Sequence, residues 1–280
     1  LKKIKKAVFP VAGFGSRFLP ATKSIPKEML PIVDKPLIQY AVEEAIEAGI
    51  NEIIFITGRN KRAIEDHFDK AFELEVDLER RGKDKLLTQI QSSIPKNVSY
   101  IYIRQVETLG LGHAVLTAKP VVGDNPFAVI LADDLIDGKP GAMSQMIERY
   151  NQNQCSLVAV QNVPREETEA YGIVETEDCL SDENKIINIV EKPSPQEAPS
   201  TLGVVGRYVL DPVIFDFLEK GRVGAGGEIQ LTDAIADLIN AKTVQAFEFE
   251  GVRYDCGSKL GFLEASVAYG LQREVIGEQF

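Results

Sequence analysis

Residues 12–27 read Ala-Gly-Phe-Gly-Ser-Arg-Phe-Leu-Pro-Ala-Thr-Lys-Ser-Ile-Pro-Lys, and they follow the apolar run Ala-Val-Phe-Pro-Val at 7–11. The apolar run predicts a first β-strand. Gly13 and Gly15 then allow the backbone to turn tightly and to approach a ligand closely. Backbone amides that are exposed in such a loop bind anions. The stretch therefore predicts a phosphate-binding loop at the end of a strand.

The charges of this loop and the spacing of its glycines indicate which class of ligand it binds. Three cations follow the glycines, namely Arg17, Lys23 and Lys27. The loop has no G-x-x-x-x-G-K-[ST], and Phe18 stands where a dinucleotide-binding G-x-G-x-x-G has its third glycine. The next predicted strand, 52–57, does not end in the acidic residue that would bind a ribose. The pattern favours a nucleoside triphosphate and argues against a dinucleotide-dependent oxidoreductase.

Apolar runs and helical patterns alternate along the rest of the chain. The predicted strands are 6–11, 52–57, 98–103, 127–132, 156–163, 172–177, 186–190, 204–209 and 244–249. The predicted helices are 36–48, 61–72, 112–119, 140–150, 211–219, 231–240 and 260–271. This order predicts an α/β fold: one domain over 1–280, with a mixed, mostly parallel central sheet and helices on both faces. Ligands of such sheets bind beyond the carboxyl ends of the strands.

Composition excludes several classes of protein. The net charge of −11 argues against general nucleic-acid binding, and no apolar run approaches the roughly 18 residues of a membrane span. Residues 1–35 nevertheless hold eight basic and two acidic residues, so the loop is a basic island that can attract an anionic ligand. Cys155, Cys179 and Cys256 form neither a disulfide framework nor a zinc motif, which favours reduced thiols and a cytoplasmic location.

Two polar residues follow predicted strands at the ligand rim. The strand 127–132 is apolar on both faces and ends abruptly in Asp133 and Asp134. Asp133 could hold a metal ion there, or it could cap a turn; its position alone favours neither. Gln105 follows the strand 98–103, where its amide could read a nucleobase or could be an ordinary loop residue.

Six further blocks carry a resemblance to a known family. They lie at 26–31, 34–40, 110–115, 191–193, 227–233 and 255–257. Together with the glycine loop they resemble the sugar-nucleotide pyrophosphorylases, which are sugar nucleotidyltransferases, and the longer form of the first blocks is similar to their uridylyl-transferring members. The resemblance covers nearly the whole chain in order, and it implies a Rossmann-like nucleotidyltransferase fold.

The resemblance implies a reaction in which a phosphate oxygen of glucose 1-phosphate attacks the α-phosphorus of UTP, and pyrophosphate leaves. Because this nucleophile is already ionised at neutral pH, the reaction needs cations and positioning and does not need a general base. A chain with only two histidines agrees with that requirement. Mg²⁺ is the expected cofactor, held by one or two carboxylates.

Residue roles also follow from the resemblance. It assigns catalysis to Arg17, Lys27, Asp133 and Lys192, nucleotide binding to Ala12, Gly13, Gly15, Gln105 and Gly110, sugar binding to Gly172, Glu191 and Lys192, and the metal to Asp133 and Asp255. Lys27 and Arg17 would face the nucleotide phosphates, and Lys192 would face the sugar phosphate. His113 is predicted to be structural, and the block at 227–233 has no role that the sequence explains.

Several alternatives remain open at this point. A sister enzyme would use dTTP or another hexose phosphate, and a non-catalytic nucleotide sensor could share the fold. Family resemblance implies a homodimer or homotetramer. The helix around 258–272 could contribute to that assembly, or its apolar face could belong to the core.

Overall fold

The computed structural model describes residues 2–177, 184–221 and 227–279, so Cys179 lies outside the described residues. The strands are β1 (Lys6–Pro10), β2 (Pro31–Ile32), β3 (Lys35–Pro36), β4 (Glu52–Thr57), β5 (Ser99–Arg104), β6 (Phe127–Ile130), β7 (Asp134–Asp137), β8 (Ser156–Asn162), β9 (Gly172–Thr176), β10 (Ile186–Glu191), β11 (Leu202–Leu210), β12 (Val244–Glu248) and β13 (Val252–Asp255). The helices are α1 (Leu37–Glu47), α2 (Arg62–His67), α3 (Phe72–Arg80), α4 (Asp84–Ser92), α5 (Leu111–Thr117), α6 (Lys119–Val122), α7 (Ala142–Asn153), α8 (Ile214–Glu219), α9 (Leu231–Ala241), α10 (Lys259–Gln272) and α11 (Glu274–Gly277).

The main sheet has the strand order β10–β9–β11–β6–β1–β4–β5, and β8 pairs with both β11 and β12. Strands β6, β1, β4 and β5 run parallel, as do β8 and β12. Strand β11 runs antiparallel to β6, β8 and β9. The loops after β1, β4, β5 and β6 therefore open at one rim, because the carboxyl ends of parallel strands meet at the same edge.

Alternating side chains of the strands enter two separate cores. Val8 of β1 packs in a cluster with residues of α5, α8 and α9. Its neighbour Phe9 points to the other face and packs with residues of α1 and α7. Since successive strand residues face opposite sides, a strand that is apolar throughout requires helices on both faces. The predicted α/β fold with a mixed, mostly parallel sheet is confirmed.

The sequence analysis did not predict the two-stranded ribbon of β7 and β13, and it placed the end of the strand 127–132 two residues too late. Strand β6 ends at Ile130, and the amide of Leu131 makes one last hydrogen bond to β11, at the carbonyl of Gly206 (2.8 Å). The chain then turns, with the amide of Asp134 donating to the carbonyl of Leu131 at 3.3 Å. Residues Asp134–Asp137 then pair antiparallel with β13. The ribbon packs with α10 in a third core.

The predicted helix 61–72 is also too long. Helix α2 ends at His67, after which Phe68 turns into the core and the Asp69 carboxylate accepts a hydrogen bond from the amide of Lys70 at 3.0 Å. Helices α3 and α4 follow as a hairpin that the sequence analysis missed, and none of the residues of α4 is buried. Among the described residues, no helix has both the length and the apolar character that crossing a bilayer demands.

Candidate active site

The glycine loop after β1 is fixed by contacts that only glycine permits at position 15. Gly15 has φ of 66°, and its carbonyl accepts a hydrogen bond from Thr22 Oγ1 at 2.7 Å. A Cβ at this position would lie 3.0 Å from Cβ of Lys27. A side chain at Gly15 would therefore strain the backbone and also displace the lysine that the loop brings to the rim.

One cleft, of about 580 Å³, lies at the carboxyl end of β1, β4 and β5. It brings together three of the predicted nucleotide-binding residues, Ala12, Gly13 and Gln105. A Cβ built on Gly13 would meet no atom within 4 Å, so the space beside this glycine is open to a ligand. Segment Gly58–Lys61 of the β4 loop forms the opposite part of the lining.

Gly110 begins the turn into α5 with φ of 103°, and the block at 227–233 packs against it. A Cβ at Gly110 would lie 2.8 Å from Cβ of Glu228. The amide of Ile229 donates to the carbonyl of Leu109 at 2.8 Å, and the amide of Gly112 donates to Ile229 at 2.8 Å. The block that had no role in the sequence analysis thus holds the Gly110 turn beside the cleft that contains Gln105.

A second cleft, of about 420 Å³, contains the predicted sugar-binding residues. Gly172 of β9 lies directly opposite Glu191 of β10 in the antiparallel ladder. Thr232 Oγ1 donates to Glu191 Oε2 at 2.6 Å, so the block at 227–233 reaches this cleft as well as the Gly110 turn. Lys192 has a left-handed backbone with φ of 47°, and its exposed ammonium lies 3.4 Å from Glu191 Oε1.

Lys27 and Asp133 form an ion pair at the rim, with Nζ 2.6 Å from Oδ2. Burial by itself would raise the pKa of Asp133, but the Lys27 ammonium outweighs it and the pKa is held below the ordinary value of 3.8. Burial likewise opposes the charge on Lys27, and Asp133 raises the lysine pKa above 10.5. Both groups therefore stay charged across the neutral pH range.

The second predicted metal ligand lies beside the first, around Gly257. A Cβ on Gly257 would be 2.9 Å from Asp255 Oδ1, 3.1 Å from Asp133 Oδ2 and 3.3 Å from an Arg17 guanidinium nitrogen. The two carboxylate oxygens are therefore at most about 6 Å apart. Antiparallel pairing of β7 with β13 produces this approach, because Asp255 is opposite Asp134 in the ribbon. Such a pair of hard oxygen donors suits a divalent cation.

Known proteins resemble this chain along nearly its whole length. The family model for nucleotidyl transferases matches residues 6–271. This chain belongs to the nucleotidyltransferase family. It is 53% identical to the UTP–glucose-1-phosphate uridylyltransferase of Pseudomonas aeruginosa over 265 residues, 94% of this chain and 95% of the relative. The resemblance seen in the sequence is confirmed.

Two solved structures have the same fold as this nucleotidyltransferase. A UTP-bound UDP-glucose pyrophosphorylase from Acinetobacter baumannii has a TM-score of 0.92 and 49% identity, with 99% of this chain and 97% of that chain covered. A UDP-glucose pyrophosphorylase in complex with UDP-glucose has a TM-score of 0.89 and 48% identity, covering 96% and 100%.

Asp134, next to the candidate metal ligand of this nucleotidyltransferase, is occupied by protein groups. Its Oδ2 accepts the amide of Gly206 at 2.8 Å, and its Oδ1 accepts Nε of Arg253 at 2.6 Å. Arg253 also donates to the hydroxyl of Tyr171 at 3.2 Å, beside Gly172. Asp134 thus connects the β7–β13 ribbon to the cleft that contains Gly172 and Glu191.

A fully buried arginine, Arg207, supports the turn that contains Asp133, and the sequence analysis missed this residue. Arg207 forms a bidentate pair with Glu44, with distances of 3.0 and 2.7 Å. Its remaining donors reach the carbonyls of Leu131 and Gly206 at 3.0 Å and that of Asp134 at 2.8 Å. One guanidinium therefore fixes the backbone on both sides of Asp133.

A second buried ion pair supports the glycine-loop segment of this nucleotidyltransferase. Lys61 Nζ lies 2.7 Å from Glu28 Oε2, and both side chains are almost completely buried. Burial raises the pKa of Glu28 above its ordinary value, against the lowering effect of Lys61. Glu28 follows Lys27 directly, so the pair anchors the segment that carries the lysine.

Proposed function

We infer that this protein transfers the uridylyl group of UTP to glucose 1-phosphate, which forms UDP-glucose and releases pyrophosphate. The observation that carries this function is the meeting of the two clefts along the glycine loop. Ala12, Gly13 and Pro26 line the larger cleft, whereas Arg17 lines the smaller one, which also contains Glu191 and Lys192. Relatives that are about 50% identical over nearly their whole length support the same substrates.

The reaction joins two anionic substrates, and the chain supplies cationic side chains where the two clefts meet. A phosphate oxygen of glucose 1-phosphate forms the new bond to the α-phosphorus of UTP, and the α–β bridging bond breaks with pyrophosphate as the leaving group. We propose that Lys192 holds the sugar phosphate and that Lys27 and Arg17 hold the nucleotide phosphates. Their charges offset the repulsion between the reactants and stabilise the charge that develops on the leaving group.

We propose Mg²⁺ as the metal and Asp133 with Asp255 as its protein ligands. Within the described residues no three His, Cys, Asp or Glu side chains gather into a metal site, so substrate phosphates would complete the coordination. Mg²⁺ is commonly bound in this way, through one or two carboxylates and phosphate oxygens. When bound, the ion would neutralise phosphate charge and orient the reacting groups.

The test of the function is pyrophosphate release over a matrix of nucleotides and sugar phosphates. UTP with glucose 1-phosphate and Mg²⁺ should give the highest rate, the reaction should run backwards from UDP-glucose and pyrophosphate, and chelation should stop both directions. A preference for dTTP or for another hexose phosphate would replace the proposal with the sister activity. Binding of UTP without turnover on any sugar phosphate would instead support a nucleotide sensor.

A substitution of Lys192 should affect the use of glucose 1-phosphate and should leave the binding of UTP nearly unchanged. In Lys192→Ala, the KM for glucose 1-phosphate should rise about tenfold or more, because a charged hydrogen bond to phosphate is lost, whereas the Kd for UTP should change less than about threefold. Calorimetry measures UTP binding, and initial rates measure the sugar dependence. Lys185→Ala is the matched control, since Lys185 precedes β10 at the opposite end of the strand from Lys192 and pairs there with Glu177. A collapse of UTP affinity with normal sugar dependence would show that the roles are misassigned.

We also propose that residues 1–280 act as one nucleotidyltransferase unit that assembles as a homodimer or homotetramer through α10. Four apolar side chains of this helix are exposed at helical spacing: Leu260, Leu263, Val267 and Leu271. A stripe of this kind is complementary to itself about a two-fold axis. We propose the cytoplasm as the location, because neither Cys155 nor Cys256 forms a disulfide within the described residues, which suits a reducing compartment.

Light scattering after size exclusion tests the assembly. The wild type should be a dimer or tetramer, and the double variant Leu260→Lys and Leu263→Lys should be a smaller species with an unchanged circular dichroism spectrum. Ile187→Lys alters an exposed apolar residue of β10, a strand that is not part of the third core with α10, and should leave the mass unchanged. A monomeric wild type, or an unchanged mass in the double variant, would exclude α10 as the interface.

A further inference from the structure

The cleft that contains Gly172 and Glu191 has two walls that belong to different sheets. One wall is the β7–β13 ribbon with Asp255, and the other is the end of the β9–β10 hairpin with Lys192. The ribbon is a separate two-stranded sheet, whereas β9 and β10 belong to the main sheet. Because the described walls share no strand pairing, contacts between side chains help to set the distance between them.

Arg253 of β13 connects these two walls. Its Nε and one terminal nitrogen lie 2.6 and 2.5 Å from Asp134 Oδ1, within the ribbon. The other terminal nitrogen donates to the hydroxyl of Tyr171 at 3.2 Å, and the guanidinium carbon lies 5.2 Å from the centre of the Tyr171 ring. All three guanidinium nitrogens therefore contact protein groups, and their rigid planar fork fixes Tyr171 relative to the ribbon.

Tyr171 in turn holds Lys192, the proposed cation for the sugar phosphate. The carbonyl of Tyr171 accepts a hydrogen bond from the amide of Lys192 at 2.9 Å, one step beyond the ladder pair of Gly172 and Glu191. Lys192 has a left-handed backbone with φ of 47°, which is strained for a residue with a side chain and persists only where neighbouring groups hold it. A displacement of Tyr171 would therefore displace Lys192.

We propose that Arg253 is a positioning residue, which fixes the place of Lys192 relative to the ribbon by holding Tyr171. This inference rests on the proposed function, and it deepens that function by stating how the two phosphorylated substrates are aligned. A misplacement of about 1 Å between reacting groups can lower a rate about 10²-fold, even when both substrates remain bound. Loss of the bridge should therefore lower kcat more than it weakens the binding of either substrate.

Tyr171→Phe tests the bridge with the smallest change. The variant keeps the ring and the ion pair of Arg253 with Asp134, and it removes the hydroxyl that accepts from Arg253. Its kcat for UDP-glucose formation should fall about tenfold, while the KM for glucose 1-phosphate and the Kd for UTP should each change less than about threefold. Tyr100→Phe is the matched control, because it removes a β5 hydroxyl that lies 3.5 Å from the carbonyl of Ser93 and outside the described lining of both clefts.

The kinetic constants separate positioning from binding. Lys192→Ala should raise the KM for glucose 1-phosphate, because the phosphate loses a cation, whereas Tyr171→Phe should lower kcat at an almost constant KM. Arg253→Met should have the larger loss of kcat, about 10²-fold, since it removes both contacts with the tyrosine. It also removes the ion pair of the buried Asp134, so Tyr171→Phe is the decisive variant if Arg253→Met does not fold.

Two double variants show whether Arg253 acts through these residues. Tyr171→Phe added to Arg253→Met should lower kcat no further, because the hydroxyl has already lost its donor. Tyr171→Phe added to Lys192→Ala should change kcat/KM for glucose 1-phosphate less than about threefold, because no ammonium remains to be placed.

The inference would be overturned by an unchanged kcat in Tyr171→Phe, with or without a rise in KM, or by additive losses of kcat when Arg253→Met is combined with it. An equal effect of Tyr171→Phe in the presence and absence of Lys192 would mean that Tyr171 itself contacts the sugar, and it would also overturn the inference. A wild type that forms no UDP-glucose from UTP and glucose 1-phosphate would refute the proposed function and the inference with it. An active wild type with an unaltered Tyr171→Phe variant would refute the inference alone.

Discussion

Asp133→Asn should lower kcat about 10²- to 10³-fold while the protein remains folded. The substitution keeps the shape of the side chain but removes the negative charge that Lys27 contacts at 2.6 Å. It also weakens the pair of carboxylates around Gly257, of which Asp255 is the other member. Initial rates over a range of Mg²⁺ concentrations measure the loss, and thermal unfolding followed by circular dichroism measures the stability.

Asp66→Asn provides the matched control for this experiment. Asp66 is exposed and is paired only loosely with Arg62, at 3.6 Å, so the same chemical change there should leave kcat unaltered. Near-normal turnover of a folded Asp133→Asn protein would refute the role of Asp133. Restoration of most of the rate by high Mg²⁺ alone would also argue against a loss of electrostatic stabilisation in the transition state.

The largest loss of stability is expected for Arg207→Met, at about 3–5 kcal/mol in the free energy of unfolding. The variant leaves the buried Glu44 carboxylate without its cation. It also removes the donor to the buried carbonyls of Gly206 and Asp134 and to the partly buried carbonyl of Leu131. Urea denaturation gives the free energy, and the slope of the transition shows whether the unfolding remains two-state.

An exposed arginine provides the comparison. Arg62→Met changes a side chain that is 86% exposed and should alter the stability by no more than about 0.5 kcal/mol. The Arg207→Met protein should also have a lower kcat under conditions where it is folded, because the backbone around Asp133 loses its support. A cost below about 1 kcal/mol would mean that the Glu44 pair contributes little beyond its own desolvation.

The sequence was most informative where burial decides the structure. Strand β4 has the predicted bounds, 52–57, and the doubly apolar run of β6 correctly indicated helices on both faces. Local patterns failed where the signal is weak. Helix α4 does have apolar residues at helical spacing, Leu86, Leu87 and Ile90, but none of them is buried, so this short helix contributes no core face that would mark it in the sequence.

Pairings between distant charges could not be predicted from local patterns. Glu28 and Lys61 are 33 residues apart, and Glu44 and Arg207 are 163 apart, yet each pair is almost fully buried. A charged residue in a sequence is usually exposed, and nothing near it identifies a partner. The positions of Lys27 and Asp133 were predicted separately, but their direct contact follows only from the folded sheet.

Local patterns could not explain the block at 227–233 either. Its residues match a family pattern, but their purpose depends on two strand ends that are far away in the sequence. Ile229 holds the turn at Gly110, and three residues later Thr232 holds Glu191. The distance between the two clefts is therefore set in part by a short segment that touches both.

Helix α10 and the turn before it complete the glycine loop, which is more than 200 residues earlier in the sequence. Phe18 packs edge-on against Phe262 of α10 with ring centroids 5.6 Å apart, and Arg17 donates to the carbonyl of Gly257 at 3.4 Å. During synthesis, the parallel strands can form long before these contacts exist. A ribosome must extend the polypeptide past Phe262 before the site can work, so a premature stop codon before that residue should be as damaging as a substitution in the loop itself.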